Sequence, residues 1–543
     1  MDLRVARRTP MIEIREATGE DVDQLREVFV ASYGADYAYS EYYDTQELMK
    51  LVYTDGTALL VAVDPESGRV AGTASVVFGI GAYNDLVGEF GRLAVHPDFR
   101  KRGIGKLLMQ GRIDRVRERL HVGLVENRVV HPYSQKISAA HGFVPIGFIP
   151  MKTLLKRRES VALFVRHFGD ALNLRRNNPR VIPEAGRIAQ IALENCGLPA
   201  DCILDDTSVP FPHDDDFDIS ELQTEGYSSL LRIERGRLHD RQIFGPVRLH
   251  YGLFQLKARH SHYLIARRGG QIAGGIGFMI DHTEKAVRIF ELISQSDDPI
   301  RSLLNRLTDR CRDDWNVEYI EVDVSAYAPR MQRTLLELDF QPVGYTPGLV
   351  FHETERLDAV KMVHLLVPFE TEPATICDAV RPIAEEVTRA FETVQVLPFL
   401  TGSVTNARLF AGLSDEQRTR LVSCCAHHIY ETGECLFHEG DETGTMHLIL
   451  EGEVDLTIRN PSGCVGTIGT GQCLGETSLL HPPASAPLHS VTAAARTKVE
   501  TATFPHADLV ELTRRRPDIG VIIYRNLAAG LSAKLKDADR RLV

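Results

Sequence analysis

"HPDFRKRGIGKLLMQ", residues 96–110, joins a segment with a strand pattern to one with a helix pattern. The residues before it, "LVGEFGRLAV" (86–95), are mostly apolar, and the leucines that follow the glycines recur at helical spacing. At the junction, three cations (100–102) precede Gly103 and Gly105. Glycine lets a backbone approach a ligand closely, and the N–H groups at a helix N-terminus attract anions. The stretch therefore predicts an anion-binding loop that opens a helix.

Alternating strand and helix patterns surround this junction. "MIEIREATGEDVDQLREVF" (11–29) predicts a strand and an amphipathic helix, and "ALLVAVDPESGRVAGTASVVFG" (58–79) predicts a β-hairpin. Beyond the junction helix, "LHVGLVE" (120–126), "SQKISAAHGF" (134–143) and "VPIGFIP" (144–150) predict a strand, a helix and a strand. The order β-α-β-β-β-α-β-α-β indicates a mixed α/β domain.

The order and the junction together resemble the GNAT superfamily of acyl-CoA N-acyltransferases, whose signature is Arg/Gln-x-x-Gly-x-Gly/Ala. Here the signature reads Arg-Lys-Arg-Gly-Ile-Gly (100–105), after "LAVHP" (93–97). The resemblance implies that the loop holds the pyrophosphate of coenzyme A and that an acyl-CoA, first of all acetyl-CoA, is the cosubstrate. It assigns coenzyme binding to Leu93, Val95, Arg100, Lys101, Arg102, Gly103, Ile104, Gly105 and Lys106. The alternative is a glycine turn with solvated cations.

The resemblance also implies a base that takes a proton from an acceptor amine. Glu89, on the strand before the loop, is the candidate, and the alternative is a solvent-facing strand glutamate. Family members often carry a tyrosine four residues before the closing Gly-Phe pair, which protonates the departing thiolate. In this chain that position is Ser138, so the general acid is open. The neighbouring alternatives are His131, Tyr133 and His141.

Parts of this pattern occur twice. "RVAGTA" (69–74) returns as "QIAGGI" at an offset of 202, which also carries Glu89 onto Glu291. "GFVPIGFIP" (142–150) returns as "DFQPVGYTP" (339–347) at an offset of 197. We therefore expect a second GNAT-like unit that has lost a few residues between these points.

The loss falls on the glycine loop. "LISQSDDPIRSLL" (292–304) has no Gly-x-Gly and places Asp297 and Asp298 where an anion would bind. Because like charges repel, this unit is expected not to bind coenzyme. It then either buries a face of the first copy or shapes the acceptor site.

The last 140 residues of the chain have a different sequence pattern, with closely spaced glycines. Glycines recur at short intervals in "TGE", "EGD" and "EGE" (432–453), as the turns of a small antiparallel barrel require. This segment resembles the cyclic-nucleotide-binding domain, and "GQCLGETSLL" (471–480) matches its phosphate cassette. The resemblance implies that Gly475, Glu476 and Thr477 contact a ligand, with Glu476 on a ribose hydroxyl.

The cassette lacks the arginine that pairs with the cyclic phosphate, because no arginine occurs from 477 to 495. Losing such a buried cation costs about 2–5 kcal/mol. Cyclic-nucleotide binding is therefore open and expected to be weak, and His489 substitutes only if it is protonated. In the terminal helix, Ile519, Ile522, Ile523 and Leu527 form one apolar stripe, which either faces a second copy in a homodimer or packs on its own barrel.

Composition narrows the remaining classes. The 543 residues are 43% hydrophobic and 25% charged, which is ordinary for globular domains, and the net charge of −12 favours neither nucleic acid nor membrane as a partner. The N-terminus has no apolar segment typical of a signal peptide, and nine scattered cysteines form neither a disulfide framework nor a metal pattern, so we expect no metal site and a cytoplasmic protein.

The sequence thus predicts two GNAT-like mixed α/β domains followed by a cyclic-nucleotide-binding-type β-barrel with helices. The expected segments are a GNAT acyltransferase domain (11–160), a helical connector with a polar loop (161–235), a degenerate GNAT-like domain (236–365), a helical linker (366–405) and the barrel domain (406–543). Two functions stay open. One is an acyl-CoA-dependent N-acyltransferase for a protein lysine or a small amine, and the other is a non-catalytic acyl-CoA sensor.

Overall fold

The structure is a computed structural model that describes residues 12–34, 37, 40–79, 86–155, 157–214, 216–222, 242–244, 249–252, 255–258, 261–371, 374–422, 424–459, 462–476, 479 and 488–542. It divides into two compact units, residues 1–388 and 389–543. Among the described residues, no helix is long and apolar enough to cross a membrane.

The first half of unit 1 is a mixed sheet with helices on both faces. Its elements are β1 (Glu13–Glu16), α1 (Val22–Tyr33), α2 (Thr45–Val52), β2 (Thr57–Val63), β3 (Val70–Phe78), β4 (Val87–Val95), α3 (Ile104–Val116), β5 (Val122–Arg128), α4 (Tyr133–Ala140), β6 (Val144–Leu154) and β7 (Arg158–His167). Residues of β2 alternate between two apolar clusters. Leu59 and Val61 pack with α1 and α2, whereas Leu60 and Ala62 pack with α3. This alternation follows from the two-residue period of a strand.

A second set of strands extends the same sheet. The elements of this part, after α5 (Pro183–Asn195) and the short paired strands β8 (Arg180–Val181) and β9 (Ile203–Leu204), are β10 (Asp218–Glu221), β11 (Ile243–Phe244), β12 (Leu249–Gly252), β13 (Gln255–Ala258), β14 (Ser261–Arg268), β15 (Gln271–Asp281), β16 (Ala286–Ser294), α6 (Asp298–Asp313), β17 (Tyr319–Ser325), α7 (Pro329–Leu336), β18 (Gln341–His352), β19 (Glu355–Leu365) and α8 (Arg381–Asn406). β12 and β13 pair with each other in a separate two-stranded sheet. The sheet order is β1-β2-β3-β4-β5-β7-β6-β18-β19-β17-β16-β15-β14-β10. Read from its two ends, each half has the same strand order, so the repeat in the sequence corresponds to a repeat in topology.

Two glycines join the halves. β6 pairs with β18 through Gly147 and Gly344, the glycines of the repeated "PIG" and "PVG" motifs. A Cβ on Gly147 would lie 2.9 Å from Gly344 Cα and 2.9 Å from the carbonyl oxygen of Val343. The strands therefore approach closely only because neither residue has a side chain.

Buried arginines flank this junction in a repeated arrangement. Arg158 donates to the Glu318 carboxylate across the junction at 2.9 Å and to the Met151 carbonyl in its own half. Arg356 repeats both contacts from the other side, with His121 Nδ1 at 3.1 Å and the Gly348 carbonyl at 3.1 Å. The two halves are thus held by paired polar contacts as well as by sheet pairing.

The structure moves several expected boundaries. The first half does not end at residue 160, because β7 continues to His167 between β5 and β6. The connector 161–235 is not mainly helical in its described part, which contains one helix, α5. The second half does not begin at 236, since β10 is already its edge strand. The first half also contains α2, which the sequence pattern did not predict.

Unit 2 is built from two packed sheets. After α9 (Asp415–Val422) come β20 (Ala426–Tyr430), β21 (Cys435–Phe437), β22 (Thr445–Glu451), β23 (Glu453–Arg459), β24 (Ser462–Gly469), β25 (Cys473–Leu474), β26 (Thr492–Ala495), β27 (Val499–Pro505), α10 (His506–Arg515) and α11 (Pro517–Leu542). The sheets have the orders β20-β27-β22-β25 and β21-β26-β23-β24, which agrees with the expected small antiparallel barrel. Ile519, Ile523 and Leu527 are buried in the core of this same unit, so their stripe is not available to a second copy. The homodimer stays a prediction without this support.

We predict that Gly147→Val lowers the free energy of unfolding by about 1–3 kcal/mol, because the new side chain would meet the backbone of β18. Denaturant unfolding followed by circular dichroism measures the change. Gly466→Ala is the control, since a Cβ there meets nothing within 4 Å, and it should stay within about 0.5 kcal/mol of the parent. A Gly147→Val chain as stable as the parent would contradict this account of the junction.

Candidate functional site

The loop before α3 presents a row of unused backbone donors. Lys101 (φ 64°) and Gly103 (φ 76°) have left-handed backbones on either side of Arg102, and Gly103 is the N-cap of α3. Such an alternation turns successive N–H groups toward one point. Among the described residues, nothing accepts a hydrogen bond from the N–H groups of residues 101–105. With the positive end of α3, these donors form a site that fits a phosphate group.

The cations of the loop differ in their contacts. Arg102 pairs with Asp64 at 2.9 Å and lies over the Phe99 ring, so it holds the loop against the β2–β3 turn. Arg100 donates to the Val95 carbonyl at 3.4 Å and is exposed. Lys101 and Lys106 are exposed and have no ion-pair partner among the described residues. These two lysines and Arg100 are therefore the cations that remain to neutralise a pyrophosphate.

The apolar residues of the predicted coenzyme set face inward. Ile104 is buried in the cluster beneath α3, and Leu93 and Val95 pack against that cluster. The side chain of Ile104 is therefore closed to a ligand, whereas those of Leu93 and Val95 are partly exposed. A Cβ on Gly105 would lie 3.0 Å from Ile137 Cδ1 of α4, so this glycine lets α3 and α4 approach at the loop.

Next to the loop, two parallel strands part. β4 pairs with β5 only through Val87–Glu89, opposite Val122–Leu124, and the later part of β4 pairs with β3 alone. The opening begins at Glu89, whose carboxylate accepts a hydrogen bond from Arg92 at 2.8 Å. The Glu89 side chain is 40% exposed, whereas that of Arg92 is 5% exposed. The ion pair therefore fixes a solvent-accessible carboxylate at the mouth of the opening.

A β-bulge supports this arrangement. Ser75 of β3 pairs with Gly91 and Thr73 pairs with Ala94, which leaves one extra residue on β4, and Arg92 in the bulge has φ 54°. Arg112 of α3 donates to the carbonyl groups of Gly91 and Ser75 at 3.1 and 3.2 Å. Burial lowers the pKa of Arg112 to about 9. A buried arginine thus ties the coenzyme helix to the bulged strand, and the sequence pattern gave no signal for it.

In unit 2, the cassette glycine is required by close packing. Gly475 has φ 78°, and a Cβ there would lie 2.4 Å from the Thr445 carbonyl oxygen. Glu476 is buried beside it. Thr477 lies outside the described residues. The structure thus describes Gly475 and Glu476 of the predicted cassette, and their contact with a ligand stays a prediction.

Comparison with known proteins identifies both regions. A profile described as Acetyltransferase (GNAT) family matches residues 22–138, and one described as Cyclic nucleotide-binding domain matches residues 427–516. An uncharacterized N-acetyltransferase of Archaeoglobus fulgidus is 35% identical over 112 residues, which cover 20% of this chain and 76% of that protein. The chain belongs to the GNAT family of acetyltransferases.

The C-terminal region matches sensor proteins over a limited length. The cyclic AMP receptor protein of Thermus thermophilus is 30% identical over 137 residues, which cover 25% of this chain and 60% of the receptor. The cAMP-dependent protein kinase regulatory subunit of Schizosaccharomyces pombe is 25% identical over 27% of its length. The chain thus spans less than two thirds of these relatives. The solved Thermus thermophilus catabolite activator protein is 29% identical over 62% of its chain, with a TM-score of 0.22.

The GNAT domain has no free hydroxyl at Ser138. Ser138 is buried, and its hydroxyl donates to the Asn127 side-chain oxygen at 3.1 Å. Tyr133, on the same helix, is 70% exposed and stands beside His131. The His141 ring is bonded to the Ile137 carbonyl at 2.7 Å. None of these side chains is placed as a clear replacement for the family's tyrosine.

The corresponding opening of the second half is filled by the chain itself. β16 pairs with β17 in parallel, and beyond this pairing β11 adds to β17 through Ile243 and Phe244, which are buried. The connection from β16 to α6 has three residues (295–297), whereas the connection from β4 to α3 has eight (96–103). Asp297 pairs with Arg330 at 2.5 Å. The absent glycine loop was therefore predicted correctly from the sequence, but the β11 plug was not.

The expected equivalence of Glu89 and Glu291 is wrong. Glu89 pairs with Val77 and Leu124, and the residue in the corresponding ladder position of β16 is Arg288, which pairs with Met279 and Glu321. Part of the deletion lies in the turn before β16 rather than in the loop, which shifts the register by three residues. Glu291 instead accepts a hydrogen bond from Tyr263. The second half therefore has a cation where the first has its candidate base.

Charged side chains span the two halves on this face. Lys152 of β6 contacts Glu126 at 3.5 Å and Glu321 at 2.5 Å. Burial disfavours the charge on Lys152, but the two glutamates outweigh it and hold its pKa well above the ordinary value. Arg288 contacts Asp323 at 3.1 Å, and Asp323 contacts Lys361 at 2.8 Å. The cluster pairs its charges internally and binds the halves together.

Burial lowers the pKa of three histidines in the cyclic nucleotide-binding domain, His447, His489 and His506. His489 stacks on Phe437 with the ring centroids 3.7 Å apart, and burial lowers its pKa. Burial lowers the pKa of His447 to about 4, and His489 and His506 add to this effect. Burial therefore disfavours a positive charge on each of these histidines.

We predict that Gly103→Glu and Gly105→Glu each abolish acetyl-CoA binding, because both add a carboxylate at the donor row. Isothermal titration calorimetry measures the affinity for acetyl-CoA, and circular dichroism first shows that each variant is folded. Ser296→Glu adds the same charge at the matching junction of the second half and should leave affinity unchanged. Unaltered binding by both glycine variants would show that the loop is not the coenzyme site.

We predict that cyclic AMP raises the melting temperature of the parent chain by less than one degree at micromolar concentration, since ligand binding to the native state must stabilise it. His489→Arg should increase the response by restoring a permanent cation beside the cassette. Arg496→Ala, at a residue paired with Glu453 on the hairpin, serves as the control and should change nothing. A shift of several degrees in the parent would overturn the argument from the missing arginine.

Proposed function

We propose that the chain transfers the acetyl group of acetyl-CoA to an amine at the opening between β4 and β5, and that its cyclic nucleotide-binding domain regulates this reaction. The observation that carries the proposal is the row of unused N–H groups at residues 101–105, beside a strand opening that begins at Glu89. Together they supply an anion site and a base at the opening between β4 and β5.

Acetyl-CoA would supply an acetyl group activated as a thioester. Glu89 then takes a proton from the acceptor ammonium, which leaves a lone pair on nitrogen for attack. The nitrogen–carbon bond forms as the carbon–sulfur bond breaks. An acid donor protonates the departing thiolate, and the second amine proton replaces the proton that this donor has given up, while Glu89 passes the first proton to solvent. The Arg92 contact keeps the Glu89 side chain in one orientation for this step.

Tyr33 is our candidate for the donor of the thiol proton. The hydroxyl of the preceding Ser32 donates to the Val95 carbonyl at 3.3 Å, which places the end of α1 at the end of β4. Burial raises the pKa of Tyr33, and Arg128 and Arg100 are close enough to oppose that effect. Burial favours the protonated phenol, which can donate to a leaving thiolate.

The face in front of the opening suits a cationic acceptor. Glu126 lies two residues beyond Leu124 on β5, on the same face as Glu89, and is exposed. The cations on this face, including Lys152 and Arg288, are held by carboxylates of the second half. An ammonium group therefore meets accessible carboxylates rather than free cations.

We infer that the second half is a GNAT-like copy without coenzyme binding. The repeated strand order, the repeated glycine junction and the paired arginine contacts support a common origin. The β11 plug and Arg288 support the loss of function. Its role in the proposal is to bury and brace the β6 edge of the catalytic half.

A second candidate function is a non-catalytic acyl-CoA sensor. The observation that favours it is Ser138, whose hydroxyl is buried and bonded where the family often has a tyrosine. The two functions differ in a simple assay. Only an enzyme releases coenzyme A thiol from acetyl-CoA when an amine is added.

We predict that Glu89→Gln lowers kcat for thiol release by about 10²-fold or more, because the amide cannot accept the ammonium proton. The assay mixes the full chain with acetyl-CoA and a panel of lysine peptides and polyamines. Acetyl-CoA affinity should be unchanged, and Glu66→Gln, on the exposed β2–β3 turn, should behave as the parent. Thiol release that is absent from the parent with every amine would favour the sensor.

A further inference from the structure

Residues 375–377, which follow the last strand of the second half, lie against the GNAT domain and are hydrogen-bonded there to one side chain. Gln135 of α4 is fully buried. Its amide nitrogen donates to the Thr375 carbonyl at 2.9 Å, and its amide oxygen accepts from the Cys377 N–H at 3.0 Å. The Thr375 N–H donates to the Val129 carbonyl at 2.6 Å. Residues 375–377 are therefore bound by the donor and the acceptor group of one side-chain amide and by the backbone just after β5.

The same short helix touches the coenzyme loop. Ile137, two residues after Gln135, has its Cδ1 atom 3.0 Å from the position of a Cβ on Gly105. Gly105 belongs to the row of unused donors at the start of α3. Ile137 Cδ1 therefore packs against the side of Gly105 that has no side chain, and a displacement of α4 would change the packing at the start of α3.

Residues 375–377 also lead directly into α8. Val380, Ile383 and Val387 at its start are fully buried. The boundary between the two units, at residues 388 and 389, falls within this helix. Covalent continuity thus makes the gripped segment the last part of unit 1 before the helix that leads into the cyclic nucleotide-binding domain.

We propose that Gln135 is a positioning residue, which couples the 375–377 segment through α4 to the coenzyme loop. The inference rests on the proposed function for the identity of the ligand, acetyl-CoA, and it adds the point at which regulation enters the GNAT domain. A displacement of the start of α8 would change the hydrogen bonds between Gln135 and residues 375–377. The resulting shift of α4 would then reach Gly105. Gln135 itself touches neither coenzyme nor acceptor.

A simpler role for Gln135 is to satisfy buried polar groups, with no effect at the loop. The two roles differ in what happens at a distance. Loss of a merely structural grip loosens residues 374–380 alone, since the Thr375 bond to Val129 is separate from the loop. If Gln135 couples the two segments, loss of its hydrogen bonds also speeds hydrogen exchange at residues 100–108. It then weakens coenzyme binding without changing the rate of the chemical step.

The test uses the full chain with Gln135→Met, which keeps the side-chain length and removes the hydrogen bonds of the amide to Thr375 and Cys377, together with its longer bond to the Arg128 carbonyl at 3.4 Å. Hydrogen–deuterium exchange without ligand should show faster exchange at 374–380 and at 100–108, with β2 unchanged. The KM for acetyl-CoA should rise five- to tenfold while kcat stays within twofold. Gln135→Glu keeps the acceptor for Cys377 and should give a smaller effect, and Lys136→Met, exposed on the same helix, should give none.

Faster exchange at 374–380 alone, with an unchanged KM, would overturn the proposal. If Gln135→Met raises exchange throughout the GNAT domain, Thr375→Pro replaces it, because proline removes the N–H bonded to Val129 and leaves Gln135 intact. Exchange at 100–108 must then rise with that at 374–380, and its failure to rise also overturns the proposal. A parent chain that neither binds acetyl-CoA nor releases thiol would refute the proposed function, while the exchange data would still decide the coupling.

Discussion

The close approach of Gly147 and Gly344 is the constraint on which unit 1 depends. A side chain at either position would push β6 away from β18, and the continuous sheet would separate into two. The arginine contacts to Glu318 and His121 and the Lys152–Glu321 pair all cross this junction and require its spacing. The repeat "PIG" and "PVG" in the sequence therefore has a physical cause, since each copy supplies one of the two glycines.

The two halves share the strand order and the junction between them, and they differ in the strand opening and in the connection that precedes the helix. Both have the same strand order and the same glycine at the junction. The first half has an open strand pair, a long glycine loop and Glu89. The second has β11 in the opening, a short connection and Arg288. The repeated strand order thus accompanies a difference in the two openings, and the outer strand β18 of the second half covers the β6 edge of the first.

Sequence reasoning predicted the features that depend on local chemistry. The glycine loop and the β-hairpin follow from residue types at fixed spacing, and the structure contains both. The shorter connection before α6 follows in the same way from the absence of a Gly-x-Gly pair there. β7 was missed because "RESVALFVRH" (158–167) follows a run of charges and its apolar residues fit a strand or a helix equally.

Other errors came from long-range geometry. The offset of 202 aligned Glu89 with Glu291, but a shorter turn before β16 changed the register, and a one-residue shift already reverses which face a side chain occupies. Arg112 and Gln135 gave no signal, because a buried polar residue in a helix is recognised only from the backbone groups that it meets. These are contacts between segments far apart in sequence, and no local pattern encodes them.

The central claim is that unit 1 has one coenzyme site, at residues 100–106 of the first half. Titration calorimetry with acetyl-CoA on the full chain measures the number of sites directly. The account predicts one molecule bound per chain. A stoichiometry of two would mean that the second half binds coenzyme despite β11 and its short connection, and no binding at all would mean that the donor row at residues 101–105 has another use.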